Sequence, residues 1–152
     1  LLATFNPRES EAISEQTAYL MINLLKGVVQ DGTGRRVRYK YELMNPIAGK
    51  TGTTQNQSDG WFMGVTPNLA SGAWVGGENR SIHFNSITLG QGANMALPIW
   101  AKYMKKVYND STLTNLVSKQ DSFERQTNFN YNLDCDEIGQ DAIKDRIDDE
   151  FF

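Results

Sequence analysis

The sequence predicts an α/β protein of the α+β type, an antiparallel meander flanked by helices, on three observations. Apolar residues recur at helical spacing in two stretches, Ala18 to Val29 and Leu97 to Tyr108. Between them lie three strand-like runs, Ile47 to Gln55, Trp61 to Thr66 and Ala70 to Gly76, separated by short polar turns of the kind that join antiparallel strands. In Trp61-Phe62-Met63-Gly64-Val65 and Ala73-Trp74-Val75 successive residues are apolar, so these strands are expected to be covered on both faces, with helices as the cover.

Taken in order, Leu1 to Glu9 reads as a connection, because Pro7 discourages a continuous element. Ser14 offers an N-cap hydroxyl and Glu15 an acid in the first turn of a helix whose apolar positions are Ala18, Ile22, Leu25 and Val29. Met21, Leu20, Leu24 and Val28 broaden that face, which suggests burial against a sheet, and Gly27 is expected to permit close packing. The helix is expected to stop near Gln30, where Asp31-Gly32-Thr33-Gly34 tolerates positive φ. The cluster Arg35-Arg36-Val37-Arg38 reads as a solvated loop, and Tyr39 to Asn45 as a linker closed by Pro46. After the three strands a long loop runs from Gly76 to about Ala96, and Pro98 fits the first turn of the second helix. Its residues Leu97, Trp100, Ala101, Met104 and Tyr108 face a core while Lys102, Lys105 and Lys106 face solvent. Beyond Tyr108 the chain turns polar, and a division follows into a folded unit, 1–110, and an acidic, flexible tail, 111–152, with a short weak helix over Asp141 to Phe152.

Charge follows that division. Of the 18 acids 11 lie from Asp110 onward, with only 4 of the 15 bases, so the formal net charge of −3 conceals a mildly basic body. Scattered bases do not call for nucleic acid. Cys135 is the single cysteine, which excludes an internal disulfide, and the lone His83 has no second ligand nearby, so no metal or cofactor is expected. No apolar run approaches the length of a membrane span, and the start at Leu1 without Met reads as a piece of a longer protein.

The stretch Ala48-Gly49-Lys50-Thr51-Gly52-Thr53-Thr54 concentrates the chemistry: a fixed cation, hydroxyls, and two glycines that let a ligand approach the backbone. A phosphate loop fails at its first position, Met44, where a glycine is required, and at its end, which reads as strand rather than helix. The Lys-Thr-Gly element of serine penicillin-recognising enzymes fits better. Acylating a serine with a D-alanyl peptide needs a cation near the proton path, hydroxyls for the substrate carboxylate and an N–H for the oxyanion. Lys50, Thr51 and Thr53, and the Thr53 backbone can supply them, with Thr51 and Thr53 on one side of the strand and Gly52 leaving room for an extended substrate.

In order, Gln16 to Met21, Leu25 to Val29, Gly32-Thr33-Gly34, Ala48 to Thr54, Asp59 to Gly64, Trp74-Val75-Gly76 and Ala96 to Trp100 resemble the C-terminal part of the transpeptidase domain of a class A, bifunctional penicillin-binding protein. The resemblance covers about Ser14 to Tyr108 and implies part of a β-lactamase/transpeptidase-like fold, an antiparallel sheet of five strands flanked by helices. It further implies a peptidoglycan D,D-transpeptidase that cross-links stem peptides ending in D-Ala-D-Ala through a serine acyl-enzyme and binds β-lactams. An upstream glycosyltransferase domain, an N-terminal membrane anchor, an extracytoplasmic or periplasmic location and cell-wall synthesis partners belong to the same implication. By it, Lys50 and Thr53 act in catalysis; Thr51, Gly52 and Thr53 bind substrate, with Thr54 and Gln55 on the cleft rim. The chain departs from the pattern in one respect: no Ser is followed by Lys at the third position and no Ser-x-Asn occurs. The nucleophile and middle motif are therefore expected upstream, and the chain alone is expected to be inactive and of marginal stability. A non-catalytic peptide-binding or assembly module, or a D,D-carboxypeptidase or β-lactamase relative, are the alternatives.

Overall fold

A computed structural model describes residues 10–113, 117, 118 and 121–123 of the chain. Helix α1 (Glu15–Gln30) begins where the Ser14 hydroxyl accepts the Thr17 N–H at 3.3 Å, so the expected cap is present. The helix closes with the N–H groups of Asp31 and Gly32 both donating to the Gly27 carbonyl, at 2.9 and 3.2 Å. No described glycine has a positive φ, which corrects the reason given for this turn. Gly32 is needed for clearance instead: a Cβ there would lie 2.9 Å from the Val28 backbone. Gly27 is also corrected, since it is exposed and a Cβ on it would meet nothing. Of the broad apolar face only Val29 is fully buried, and Leu24 remains 68% exposed.

The arginine cluster forms a helical turn, α2 (Arg36–Tyr39), rather than a solvated loop. Its cause is local. Val37 is fully buried, and Arg38 Nη1 donates to the carbonyls of Leu43 at 2.6 Å and Asn45 at 2.7 Å, tying the following linker onto the turn. Glu42 takes φ 58° to make that return. Burial lowers the Arg38 pKa, with Tyr108 acting in the opposite direction.

Strands β1 (Ala48–Thr53), β2 (Asp59–Val65) and β3 (Ala70–Gly76) form the expected antiparallel meander in the order β1-β2-β3. Thr51 pairs with Phe62 and Phe62 with Ala73, so these three share a face. That face carries the core, in which Phe62 and Trp100 lie with ring centroids 4.8 Å apart among Val29, Val37, Ile47, Leu97 and Met104. Burying one large apolar side chain fully contributes about 1.5–3 kcal/mol, which makes this cluster the principal stabilising feature. The opposite face corrects the expectation of cover on both sides. Trp61, Met63 and Trp74 project there and are 47%, 45% and 48% exposed, because the helical contacts gather on the Phe62 face.

Within the expected loop 76–96 lies a short helix, α3 (Ile87–Gly90), and α4 (Gly92–Asn109) begins six residues before Pro98. Pro98 therefore stands inside α4 and not in its first turn, which corrects that expectation as well. Tertiary packing outweighs the lost backbone bond there: Ala93, Met95, Ala96 and Leu97, all ahead of or beside the proline, are buried. The Trp100 indole N–H donates to Ser71 Oγ at 2.9 Å and fastens α4 to β3. Past α4, Val117 is buried and the Asp121 carboxylate accepts from Asn68 Nδ2 at 3.0 Å and from the Ser118 N–H at 2.7 Å. No helix among the described residues is long and apolar enough to cross a membrane. The expected connection over 1–9, Cys135 and the weak helix over 141–152 lie outside the described residues.

Candidate functional site

Among the described residues β1 is an edge strand, and its outer side decides what it can do. The Thr54 N–H donates to the Asp59 carbonyl at 3.0 Å, which makes 54 and 59 a hydrogen-bonded pair. Antiparallel ladders alternate, so the opposed pairs Thr53–Gly60, Thr51–Phe62 and Gly49–Gly64 are of the other kind. The N–H and C=O groups of Thr53, Thr51 and Gly49 consequently point away from β2, toward the free edge. An extended chain laid along β1 meets those groups as a new strand would.

Side chains alternate about that edge. Thr51 and Thr53 stand on the Phe62 face, while Lys50 stands on the open face in register with Met63. The Lys50 ammonium is exposed and reaches round to donate to the Thr51 carbonyl at 2.7 Å, itself an edge group. A ligand on the edge is thus bracketed by a cation from one face and by hydroxyls from the other. Gly52, between the two threonines, has no bulk on the open face, where a Cβ would come 3.3 Å from Trp61 Cβ.

Both threonine hydroxyls are held by residues outside β1 that the sequence reading did not single out as site residues. Thr51 Oγ1 and Thr33 Oγ1 share a hydrogen bond of 2.7 Å, which explains a function for the turn after α1. The Gly92 N–H donates to Thr53 Oγ1 at 3.0 Å, so the start of α4 is anchored on the same strand. A Cβ on Gly92 would lie 2.6 Å from the Trp61 carbonyl oxygen and overlap that of Gly52, hence only glycine permits this approach. The Gly-Thr-Gly pattern was a visible signal for Thr33; for Gly92 no local signal existed, because its partner is 39 residues away.

Thr54 and Gln55 lie beyond the strand end, which falls at Thr53 and not at Gln55. The Thr54 hydroxyl accepts the Asp59 N–H at 2.9 Å and bonds Ser58 Oγ at 3.0 Å, closing the β1–β2 turn. Gln55 opens a 3-10 turn, Gln55–Gln57, in which Asn56 and Gln57 have φ of 61° and 53°. Their left-handed backbone explains why the strand cannot continue. His83 lies on the wall of a mainly apolar cavity of about 300 Å³ with Ser58, Val75, Ile82 and Phe84. Among the described residues no group of three or more His, Cys, Asp or Glu could hold a metal ion.

Comparison with known proteins bears on this arrangement. The family described as penicillin binding protein transpeptidase domain matches residues 5–76, a span that contains α1, β1, β2 and β3. Penicillin-binding protein 1A of Pseudomonas aeruginosa is 38% identical over 118 residues, 75% of this chain and 13% of its own length. Penicillin-binding protein 1B of Escherichia coli is 35% identical over 129 residues, 85% of this chain and 14% of its own length. Penicillin-binding protein 1B of Vibrio cholerae is 34% identical over 134 residues, 86% of this chain and 16% of its own length. The chain therefore spans only about one seventh of the curated relatives it matches.

Proposed function

We propose a function from the premise that the chain is part of the transpeptidase domain of a class A penicillin-binding protein. In the whole protein β1 is the strand on which a D-alanyl stem peptide, or a β-lactam in its place, is laid out for acyl transfer. The observation that carries this reading is the free edge of β1, with outward backbone groups and the Lys50, Thr51 and Thr53 side chains around it.

In this reading a serine supplied by another part of the protein attacks the carbonyl carbon of the penultimate D-alanine. The Thr53 N–H, aimed outward, donates to the oxyanion that develops, and fixed donors of that kind are worth about 10²–10³ in rate. The terminal D-alanine departs as an amine with a proton, leaving an ester on the serine, and an amine from a second stem peptide takes the acyl group. The Thr51 and Thr53 hydroxyls hold the terminal carboxylate of the donor; Lys50 places positive charge on the proton path. Gly52 gives the peptide clearance, and Thr54 and Gln55 border the site from the β1–β2 turn. The remainder of the domain would cover Trp61, Met63 and Trp74 on the open face. Residues 1–110 form the transpeptidase portion and 111–152 an acidic tail. An upstream glycosyltransferase domain, a membrane anchor, an extracytoplasmic location and cell-wall synthesis partners complete the proposal.

Labelling of the full-length protein with a fluorescent penicillin tests it. Labelling is expected for the wild type and is expected to slow by at least about 10²-fold in Lys50→Ala. An unlabelled wild type, or a Lys50→Ala protein labelled at the wild-type rate, would overturn the reading. The isolated chain, which contains no Ser-x-x-Lys, is expected to gain no penicilloyl mass.

A further inference from the structure

A second cavity, of about 160 Å³ and partly polar, is lined by Thr33, Arg35, Arg36, Gln91 and Ala93 among others. It adjoins the partners of the two site threonines. Thr33 is the residue bonded to Thr51, and Gln91 and Ala93 flank Gly92, which is bonded to Thr53. Among the described residues no acid lines the cavity, and neither Arg35 nor Arg36 is in a salt bridge. Two guanidinium groups on one cavity wall raise the local positive potential and favour an anion. Guanidinium geometry suits a carboxylate or a phosphate, and the acyl-transfer reading supplies a carboxylate.

We infer that Arg35 and Arg36 form the counter-charge subsite for the terminal carboxylate of the donor, and that Thr33 is a positioning residue for the Thr51 hydroxyl. The inference rests on the acyl-transfer reading above. Thr51 has one hydroxyl proton. When Thr33 donates to Thr51, that proton is free for the carboxylate; when Thr51 donates to Thr33, it is not. An anion in front of Thr51, with positive charge behind, selects the first arrangement. The recognition of a carboxylate then depends on a residue that does not touch it.

The test uses the full-length protein and two D-alanyl thioesters that differ only in ending in a carboxylate or a carboxamide, with fluorescent penicillin as an independent probe. In the double variant Arg35→Gln/Arg36→Gln the acylation rate for the carboxylate substrate is expected to fall about ten- to hundredfold, the range of charge-assisted contacts, and that for the carboxamide to change little. Thr33→Val is expected to lose about two- to tenfold on the carboxylate substrate alone, with recovery in Thr33→Ser. Equal losses on both substrates, or no loss on either, would refute the subsite. A wild type that no penicillin labels would instead remove the acyl-transfer reading, and the subsite with it. If the double variant does not fold, the single variants Arg35→Gln and Arg36→Gln decide: at least one must slow the carboxylate substrate more than the carboxamide. Equal rates on both substrates in both single variants overturn the inference.

Discussion

Replacing Gly92 by alanine separates the packing of α4 from every other feature of the site. A Cβ at 92 would lie 2.6 Å from the Trp61 carbonyl oxygen and overlap the Gly52 carbonyl, and both obstacles are backbone atoms of paired strands. They cannot turn aside as a side chain would, so the start of α4 must move outward. Overpacking of this kind costs about 1–3 kcal/mol. The displacement also lengthens the 3.0 Å bond from the Gly92 N–H to Thr53 Oγ1, a further ~0.5–1.5 kcal/mol. A total near 3 kcal/mol lowers the midpoint of a domain of this class by about 6–12 °C. The assay rests on the proposed function: it is the fraction of full-length protein still labelled by fluorescent penicillin after heating to graded temperatures. At low temperature the same variant should label more slowly, because the Thr53 hydroxyl loses its anchor. A midpoint within 2 °C of wild type, with an unchanged labelling rate, would refute the claim that α4 is held against β1 at this point.

Three further outcomes are expected. Gly27→Ala, in an exposed helical position where a Cβ meets nothing, should stabilise by about 0.5–1 kcal/mol in the same heating assay, and a lowered midpoint would show that the α1 surface is covered there in the whole protein. Ser71→Ala removes the acceptor of the Trp100 indole N–H, whose side chain is 1% exposed, and should cost about 1–3 kcal/mol; an unchanged midpoint would mean that the buried donor finds another partner. Tyr108 is held up to about 12, first by burial and then by Asp121, with Arg38 opposing. Its protonated form is favoured by folding, so the contribution to stability is whole below pH 10 and is lost between pH 10 and about 12, as the unfolded chain ionises first. Ultraviolet titration should show one tyrosine ionising near the upper limit and lacking in Tyr108→Phe, and its absence from the wild type would contradict the assignment.

Local chemistry was enough wherever the cause lay within a few residues. Ser14 was legible as a cap, and Asn56-Gln57-Ser58 as a turn, because hydroxyls and left-handed backbone act on their immediate neighbours. The three strands were legible from polar punctuation, with errors of two residues at the ends of β1 and β2. Pro98 misled for the same reason that it usually informs: its local penalty is real, but the burial of Ala93, Met95 and Ala96 outweighs it. Arg38 was unreadable as a structural residue because its partners are carbonyls, which no side-chain pattern reveals.

The amino-acid sequence by itself determined the order of elements, the antiparallel meander and the Lys-Thr-Gly stretch as the place of interest, since periodicity and turn chemistry are local properties. Tertiary structure alone decided which backbone groups of β1 face outward, and that Lys50 approaches the edge from one face and Thr51 and Thr53 from the other. It also brought Thr33 to Thr51 across 18 residues and Gly92 to Thr53 across 39. Contacts at that separation depend on packing one element against another, and the information for them is spread over the whole core rather than written in any one stretch.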